Sequence, residues 1–178
     1  IENVTVFGDQ DHVIVGDAKN NVLKGGSGDD ILYTGYDGDD QLYGNFGDDI
    51  LVRSGSGTQI LAGGEGNDTF EVYYEIYESE LVDGFTTSYP TNPDFEQIIV
   101  IDLANGVSGQ KGNTNLQATL ISIENATFIG NFDVEIIGTN EDNKIRSGRG
   151  SDIITTGAGN DLIHVQYNRA TPTSHTLE

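Results

Sequence analysis

Large apolar residues recur at steps of nine or ten positions between residues 32 and 70, and glycine, serine and aspartate are frequent in the segments between them. Each apolar residue lies in a stretch of only about three residues that can form a strand, with its side chain on one face. That side chain can be buried by packing on the equivalent residue of a neighbouring turn. The pattern predicts an all-β stack of very short strands. The apolar residues are Leu32, Leu42, Leu51, Leu61 and Phe70.

The repeating unit behind this pattern is nine residues long. Its five tandem copies occupy residues 25–33, 35–43, 44–52, 54–62 and 63–71. Thr34 and Arg53 are single extra residues between copies. The unit follows Gly-Gly-x-Gly-x-Asp-x-U-x, where U is a large apolar residue, which is the signature of a calcium-binding parallel β-helix. Tandem repetition makes this signal far more specific than a lone glycine-rich run.

The glycine and aspartate positions suit a hard cation. Glycines at positions 1, 2 and 4 permit sharp turns that expose backbone carbonyl oxygens. The aspartate at position 6 adds an anionic oxygen on a short side chain, and Ca²⁺ takes about six to eight oxygen ligands at about 2.3–2.6 Å. One turn supplies too few oxygens for that shell. Stacked turns are therefore expected to share each ion.

The chain resembles the RTX (repeats-in-toxin) family over most of residues 8–71 and 123–165. The resemblance implies a right-handed parallel β-roll with two turns per coil and Ca²⁺ between turns stacked on one edge. It also implies a ligand set. One turn gives the carbonyls of positions 2 and 4 and its aspartate, and the turn one coil later gives the carbonyls of positions 1 and 3 and its own aspartate.

This register separates two edges of the roll. One edge stacks His12, Asp30, Asp49 and Asp68, and the other stacks Asn21, Asp40 and Gln59. Calcium affinity depends on the charge of the ligands, so a pair of aspartates should bind better than an aspartate with an amide. The strongest expected sites pair Asp30 with Asp49 and Asp49 with Asp68.

The same register assigns backbone carbonyls to each site. For Asp30 with Asp49 they belong to Gly26, Gly28, Gly44 and Phe46. For Asp49 with Asp68 they belong to Asn45, Gly47, Gly63 and Glu65. For a weaker site of Asn21 with Asp40 they belong to Asp17, Lys19, Gly35 and Asp37. Asp40 with Gln59 is expected to form another weak or water-completed site.

A longer internal repeat relates the two ends of the chain. Residues 1–16 match residues 123–138 at a constant offset of 122. The second block is poorer in carboxylates, because its stacking pairs Asn143 with Asp161 and places Asp152 beside Val134. Valine cannot coordinate an ion. Asn143 with Asp161 is therefore the single calcium site expected in this block.

The repeats divide the chain into four parts. Residues 1–71 form a first β-roll block, 72–122 a strand-rich connector, 123–165 a second β-roll block and 166–178 a tail without pattern. Around and within the connector, the alternation of residues 70–82 and 97–103 predicts strands, and the polar, proline-bearing residues 86–93 predict a loop. The tail is expected to be loosely attached.

Composition points to folding that depends on metal. Only 35% of the residues are hydrophobic, and 29 acidic residues face eight basic ones, for a formal charge of -21. Self-repulsion and small apolar area should leave the metal-free chain loose, and calcium binding would supply the folding energy. The negative surface excludes nucleic acid as a partner. With no cysteine, no disulfide stabilises the chain.

These features predict a non-catalytic module of a larger secreted bacterial protein, located outside the cell or on its surface. The resemblance implies export through a type I secretion channel and folding in the medium. The chain has no starting methionine, signal peptide or transmembrane run, so it is expected to be a piece of its parent, and to be monomeric. No metalloprotease helix, hydrolase elbow or phosphate loop is present in the sequence. The sequence does not distinguish among a cytolysin, an adhesin, a protease, a lipase and a polysaccharide-modifying enzyme as the parent.

The leading alternative is a binding module for an extracellular polysaccharide or a host cell surface. Residues 72–122 would form the contact, with Tyr73, Tyr74, Tyr77 and Tyr89 as a sugar-stacking platform. A hydrolase that uses carboxylate pairs such as Asp48 and Asp49 is a third possibility. Regular repetition in turns favours metal ligation over such an acid–base pair.

Overall fold

The computed structural model describes residues 3–74, 98–111, 118–166 and 175–177, and the regular elements in these ranges are all β-strands. Glycine-rich turns interrupt the chain so often that most strands hold three to six residues. In chain order the strands are β1 Asn3–Thr5, β2 Val13–Val15, β3 Val22–Gly26, β4 Ile31–Tyr33, β5 Gln41–Phe46, β6 Ile50–Arg53, β7 Gln59–Glu65, β8 Thr69–Tyr74, β9 Ile99–Asp102, β10 Val107–Gln110, β11 Ala118–Ile121, β12 Asn125–Gly130, β13 Val134–Ile137, β14 Lys144–Arg146, β15 Ile153–Thr155, β16 Leu162–His164 and β17 Thr176–Leu177.

Strands β1 to β8 alternate between two sheets, so each pair of successive strands completes one coil. The first sheet has the order β1-β3-β5-β7-β11-β10-β9-β13-β15-β17, and the second has the order β16-β14-β12-β8-β6-β4-β2. Neighbouring strands within the repeat blocks are parallel. This arrangement is the all-β parallel β-roll that the sequence predicts.

The strand register follows the nine-residue unit. In the first sheet Leu42 lies between Leu23 and Leu61, and the apolar residues of the second sheet align in the same way. These side chains are completely buried and form the core between the two sheets. The extra residues Thr34 and Arg53 leave this alignment intact, because they fall where one coil passes to the next.

The internal repeat is also visible in three dimensions. Asn3 Oδ1 accepts the N–H of Val22 at 2.9 Å, and Asn125 Oδ1 accepts the N–H of Lys144 at 2.8 Å. Asn125 and Lys144 correspond to Asn3 and Val22 at the offset of 122 residues found in the sequence. However, β1 lies in the first sheet and β12 in the second. The second block therefore begins half a coil out of phase with the first.

The described part of the connector belongs to the roll. Strands β9, β10 and β11 extend the first sheet, with β10 antiparallel to both neighbours, β11 parallel to β7 and β9 parallel to β13. In the second sheet β12 pairs directly with β8, from Asn125 beside Thr69 to Gly130 beside Tyr74. The second block therefore stacks directly on the first.

The expectations about the connector and the tail meet the structure only in part. The strand predicted over residues 97–103 is present as β9, whereas the strand predicted over 70–82 is described only as far as Tyr74. The loop at 86–93, Tyr77 and Tyr89 lie outside the described residues. The tail was expected to be loosely attached, but its described residues contain β17, which pairs with β15.

Candidate metal centres

The aspartates at position 6 stack on one another along each edge of the roll. Asp49 Oδ1 accepts the N–H of Asp30 at 2.8 Å, and Asp68 Oδ1 accepts the N–H of Asp49 at 2.9 Å. The other edge repeats this contact, because Asp40 Oδ1 accepts the N–H of Asn21 at 2.8 Å. Each carboxylate therefore reaches back to the preceding coil. Burial is nearly complete for all four aspartates.

The second oxygen of each buried carboxylate has no hydrogen-bond partner. This holds for Oδ2 of Asp30, Asp40, Asp49 and Asp68. An unpartnered buried polar group costs about 1–3 kcal/mol, and more when it is charged. A bound cation would remove this cost. The carboxylates therefore fit a metal as their missing partner.

Carbonyl oxygens converge on the same spaces. A Cβ built on Gly25 would overlap Asp30 Oδ2 and would lie 2.8 Å from Gly44 O. A Cβ built on Gly44 would overlap Asp49 Oδ2 and would lie 2.7 Å from Gly63 O. Glycine at position 1 thus keeps open a space that is lined by a carboxylate oxygen and a carbonyl of the next coil. We call each such space a cage.

The remaining predicted carbonyls lie at the contacts between coils. The carbonyl oxygens of Gly28, Asn45 and Gly47 face glycines of the next coil, where a Cβ would overlap them. Glu65 O accepts the N–H of Gly47 at 3.0 Å. Gly26 and Phe46 lie at the ends of β3 and β5. The Phe46 side chain is half exposed, so only its backbone is placed to bind.

The position-5 carboxylates differ from the position-6 carboxylates beside them. Asp48 is exposed, and its Oδ1 accepts the N–H of Asn67 on the following coil at 2.9 Å. Asp49 is buried and reaches the preceding coil. The two side chains therefore occupy different environments, which does not support a paired acid and base at this position.

Burial raises the pKa of three position-6 carboxylates of the first block, those of Asp40, Asp49 and Asp68. The pKa of Asp49 rises to about 7, and those of Asp40 and Asp68 rise to about 6. Desolvation is the main cause, and neighbouring carboxylates add to it. Backbone N–H donors lower the same pKa values only in part. At neutral pH, the ionised form of these buried carboxylates would therefore destabilise a metal-free roll.

Acid should therefore favour the metal-free fold. A carboxylate whose pKa is raised on folding contributes stability that is present below its unfolded pKa, about 4, and is lost as the pH rises through its folded pKa, here about 6 to 7. In metal-free buffer, the β-sheet signal in circular dichroism should grow as the pH falls from 8 to about 4.

A non-titrating variant checks that prediction. Asn cannot bind a proton at this pH, so Asp49→Asn should gain less signal on acidification, whereas Asp48→Asn at the exposed neighbour should behave like the unmodified chain. Equal gains in the two variants would assign the effect to overall charge instead of to the buried carboxylate.

The asparagine cages of the other edge and of the second block are different. Asn21 Oδ1 accepts the N–H of Asp17 at 2.7 Å, and Asn143 Oδ1 accepts the N–H of Thr139 at 2.8 Å. These amide oxygens already have a partner in their own turn. They carry no charge either. Both observations support weaker binding than at the aspartate pairs.

The other predicted residues of the Asn21 site form the turns around it. The Asn21 side chain and the N–H of Lys19 lower the pKa of Asp17, and the Ser56 hydroxyl and the N–H of Gly38 lower that of Asp37. Hydrogen bonds thus favour the ionised form of both carboxylates. The carbonyl of Asp17 faces Gly35, and that of Lys19 faces Gly38.

The cage between Asp40 and Gln59 departs from the expected water-completed site. Gln59 Nε2 donates to Gly38 O at 3.0 Å and to Ser56 O at 2.7 Å. These carbonyls stand at positions 4 and 3 of their turns, where the register puts calcium ligands. Gln59 Oε1 in turn accepts Arg53 Nε–H at 2.9 Å.

The side-chain NH₂ group of Gln59 thus binds the carbonyl oxygens that an ion would need at this cage. Arg53 is buried, with 2% of its surface exposed. In the sequence it is only an extra residue between copies. Three sequence features together mark a turn that is held by the protein's own groups. They are the missing aspartate at position 6, the serine at position 1 and the adjacent arginine.

The second block places Asp161 and Asp152 as the register requires. Asp161 Oδ1 accepts the N–H of Asn143 at 2.9 Å, and Asp152 Oδ1 accepts the N–H of Val134 at 3.2 Å. Beyond Asp152, the tail brings His175 Nδ1 to 3.3 Å from Asp152 Oδ2. A histidine also stands next to Asp30, where His12 Nδ1 lies 3.2 Å from Oδ1.

A parallel roll with buried aspartates and converging carbonyls between its coils defines the class of calcium-binding β-solenoids. A family model for RTX calcium-binding nonapeptide repeats matches the chain in four copies, at residues 7–35, 15–51, 53–71 and 136–165. These matches cover just over half of the chain. The chain belongs to the RTX calcium-binding repeat family, as the resemblance implied.

No curated protein matches the chain. In the ranges that the structure describes, no helix has the length and apolar character needed to cross a bilayer.

Proposed function

We propose that the chain is a calcium-dependent folding module of a larger secreted bacterial protein. RTX repeats bind Ca²⁺ and are typical of secreted bacterial proteins. For this chain, the best-supported ions lie between Asp30 and Asp49 and between Asp49 and Asp68. A weaker ion lies between Asn21 and Asp40, and another between Asn143 and Asp161.

The observation that carries the proposal is the row of buried carboxylate oxygens without partners. A chain with a formal charge of -21 gains nothing by burying unpaired anions unless a cation meets them. Ca²⁺ suits these cages because it accepts many oxygen ligands at irregular geometry. Its binding free energy would then be folding free energy.

Calcium concentration would also decide where the module folds. Extracellular calcium modules have dissociation constants of about 10⁻⁴ to 10⁻³ M. At the low calcium level inside a cell such a module stays unfolded, and an unfolded chain can pass through a type I secretion channel. Outside the cell it meets enough calcium to fold. Its role is structural, with any catalytic activity belonging to another part of the parent protein.

A calcium titration followed by far-ultraviolet circular dichroism tests the proposal. The chain should show little β-structure in chelator and should fold cooperatively at about 10⁻⁴ to 10⁻³ M Ca²⁺. Mg²⁺ at equal concentration should fold it poorly, because that ion prefers a tight octahedron with retained waters. A compact monomer that persists in excess chelator would contradict the proposal.

A further inference from the structure

The edge of Asp30, Asp49 and Asp68 does not end where the first block ends. The next strand of the second sheet after β8 is β12, which begins 56 residues after β8 begins. There, Glu124 Oε2 accepts the N–H of Asp68 at 2.8 Å. Asp68 makes the same contact with the N–H of Asp49 at 2.9 Å. Glu124 therefore occupies the ligand position of the following coil.

Backbone contacts confirm this equivalence. The N–H of Asn125 donates to Asp68 O at 2.9 Å, as the N–H of Thr69 donates to Asp49 O at 2.8 Å. Asn125 thus follows Glu124 as Thr69 follows Asp68. The junction between the two blocks is built like an ordinary step between coils.

A cage is present at this junction. Asp68 is completely buried, and its Oδ2 has no hydrogen-bond partner. A Cβ built on Gly63 would overlap both Asp68 Oδ2 and Ser122 O. Ser122 O therefore takes the place that Gly63 O takes in the cage of Asp49. Ser122 has a left-handed backbone with φ 49°, an unfavourable conformation for a residue other than glycine.

The shape of this turn explains why the ligand is a glutamate. In a nonapeptide turn four residues separate position 1 from position 6, whereas Ile123 alone separates Ser122 from Glu124. The shorter turn needs a longer side chain to reach the preceding coil, and glutamate has one more methylene than aspartate. Because of this spacing, Glu124 does not match the nine-residue unit, although it occupies a ligand position.

Electrostatics at the junction favour a cation. In the part of the chain that the structure describes, neither carboxylate of the Asp68 and Glu124 pair forms an ion pair with lysine, arginine or histidine. Glu124 is among the causes that raise the pKa of Asp68, after burial. Two facing carboxylates without a cation repel each other.

We propose that Asp68, Ser122 O and Glu124 form a further Ca²⁺ site, which joins the second repeat block to the first. The carbonyls of Gly64 and Gly66 stand at ligand positions 2 and 4 of the same turn. The proposal rests on the calcium-dependent folding proposed above. Because β12 pairs with β8 here, the ion would tie together two blocks that are remote in sequence. The carboxylate-poor second block would then depend on this ion for its docking.

The test compares Glu124→Gln with Glu141→Gln in the full chain. Glutamine keeps an oxygen that can accept the N–H of Asp68 but removes the charge. Glu141 is exposed in a turn of the second block, so its variant controls for loss of one charge. Bound calcium is counted by equilibrium dialysis at saturating Ca²⁺, and the folding midpoint is read by circular dichroism. We expect Glu124→Gln to bind one ion fewer and to need about threefold to tenfold more calcium.

The outcomes separate this site from the general proposal. If the unmodified chain folds with calcium but Glu124→Gln binds the same number of ions as Glu141→Gln, the junction site is overturned and the calcium-dependent module stands. If the unmodified chain does not respond to calcium, both fail. If Glu124→Gln does not fold, Gly63→Ala decides, because its Cβ would overlap Asp68 Oδ2 and Ser122 O while Glu124 stays in place. Folding with one ion fewer at saturation supports the site, and an unchanged ion count or a failure to fold at any calcium concentration counts against it.

Discussion

Asp49→Asn should raise the calcium concentration at half-folding by at least about tenfold, which corresponds to about 1.4 kcal/mol. Asp49 belongs to two of the proposed ions, one shared with Asp30 and one shared with Asp68. Its Oδ1 faces the coil of Asp30, and its Oδ2 lies with Gly63 O in the next cage. The loss of one charge therefore weakens two sites at once, and both ions contribute to folding.

Asparagine would also change the chemistry of the cage. Its amide can still accept the N–H of Asp30 through Oδ1, but an NH₂ group would replace Oδ2. Gln59 shows the consequence, because its NH₂ group donates to two carbonyls at positions that the register assigns to calcium ligands. We therefore expect lower ion occupancy at Asp49→Asn as well as a weaker fold.

Two matched variants define the comparison. Asp48→Asn removes the same charge one residue away, from an exposed side chain. Gln59→Ala removes the side chain at position 6 of a turn on the other edge, where the chain has a glutamine and no carboxylate. Both should shift the calcium midpoint less than Asp49→Asn. Equal midpoints for Asp49→Asn and Gln59→Ala in a circular dichroism titration would show that the assigned register is wrong.

Gly44→Ala should be comparably damaging, although it changes no charge. An added Cβ would lie 2.6 Å from Asp49 Cγ and 2.7 Å from Gly63 O, and it would overlap Asp49 Oδ2. These atoms belong to buried backbone and a buried side chain, so little space is available for adjustment. We expect about tenfold or more additional calcium at half-folding, with one ion fewer at saturation.

Ser54→Ala is the control for Gly44→Ala, because Ser54 stands at position 1 of its turn and already carries a Cβ. It should shift the midpoint by less than about threefold, through loss of the hydrogen bond from Ser54 Oγ to Gly35 O. Calorimetric ion counts distinguish the two expected effects. An unchanged ion count in Gly44→Ala would mean that the space beside this glycine is not part of a calcium site.

Most of the architecture could be read from the sequence because its determinants are local and periodic. Leu42 packs between Leu23 and Leu61 because the nine-residue unit repeats in register. The stacking of Asp30, Asp49 and Asp68 follows from the same spacing. A single inserted residue is tolerated wherever it falls at the passage between coils, as Thr34 does. Repetition thus fixes both the core and the row of carboxylates.

Other features depend on where distant segments meet. The connector strands β9 to β11 enter only the first sheet, and no repeat predicts their order. The described tail residues form β17 instead of a loose end, because they complete pairing beside β15. The strands β9 and β11 meet β13 and β7, which are far away in sequence, and β17 meets β15 at a spacing that differs from that of the repeat, so pairing at the strand edge decides the result.

The sequence by itself determined the coil, its buried apolar rows and the type of ion that its turns suit, because glycine, aspartate and leucine recur at fixed short intervals. Only the tertiary structure decided which cages are closed by protein groups and which oxygens remain unpartnered. The direction of the Gln59 amide and the meeting of Glu124 with Asp68 depend on side-chain orientation and on the return of the chain through the connector. Neither is encoded in a local spacing.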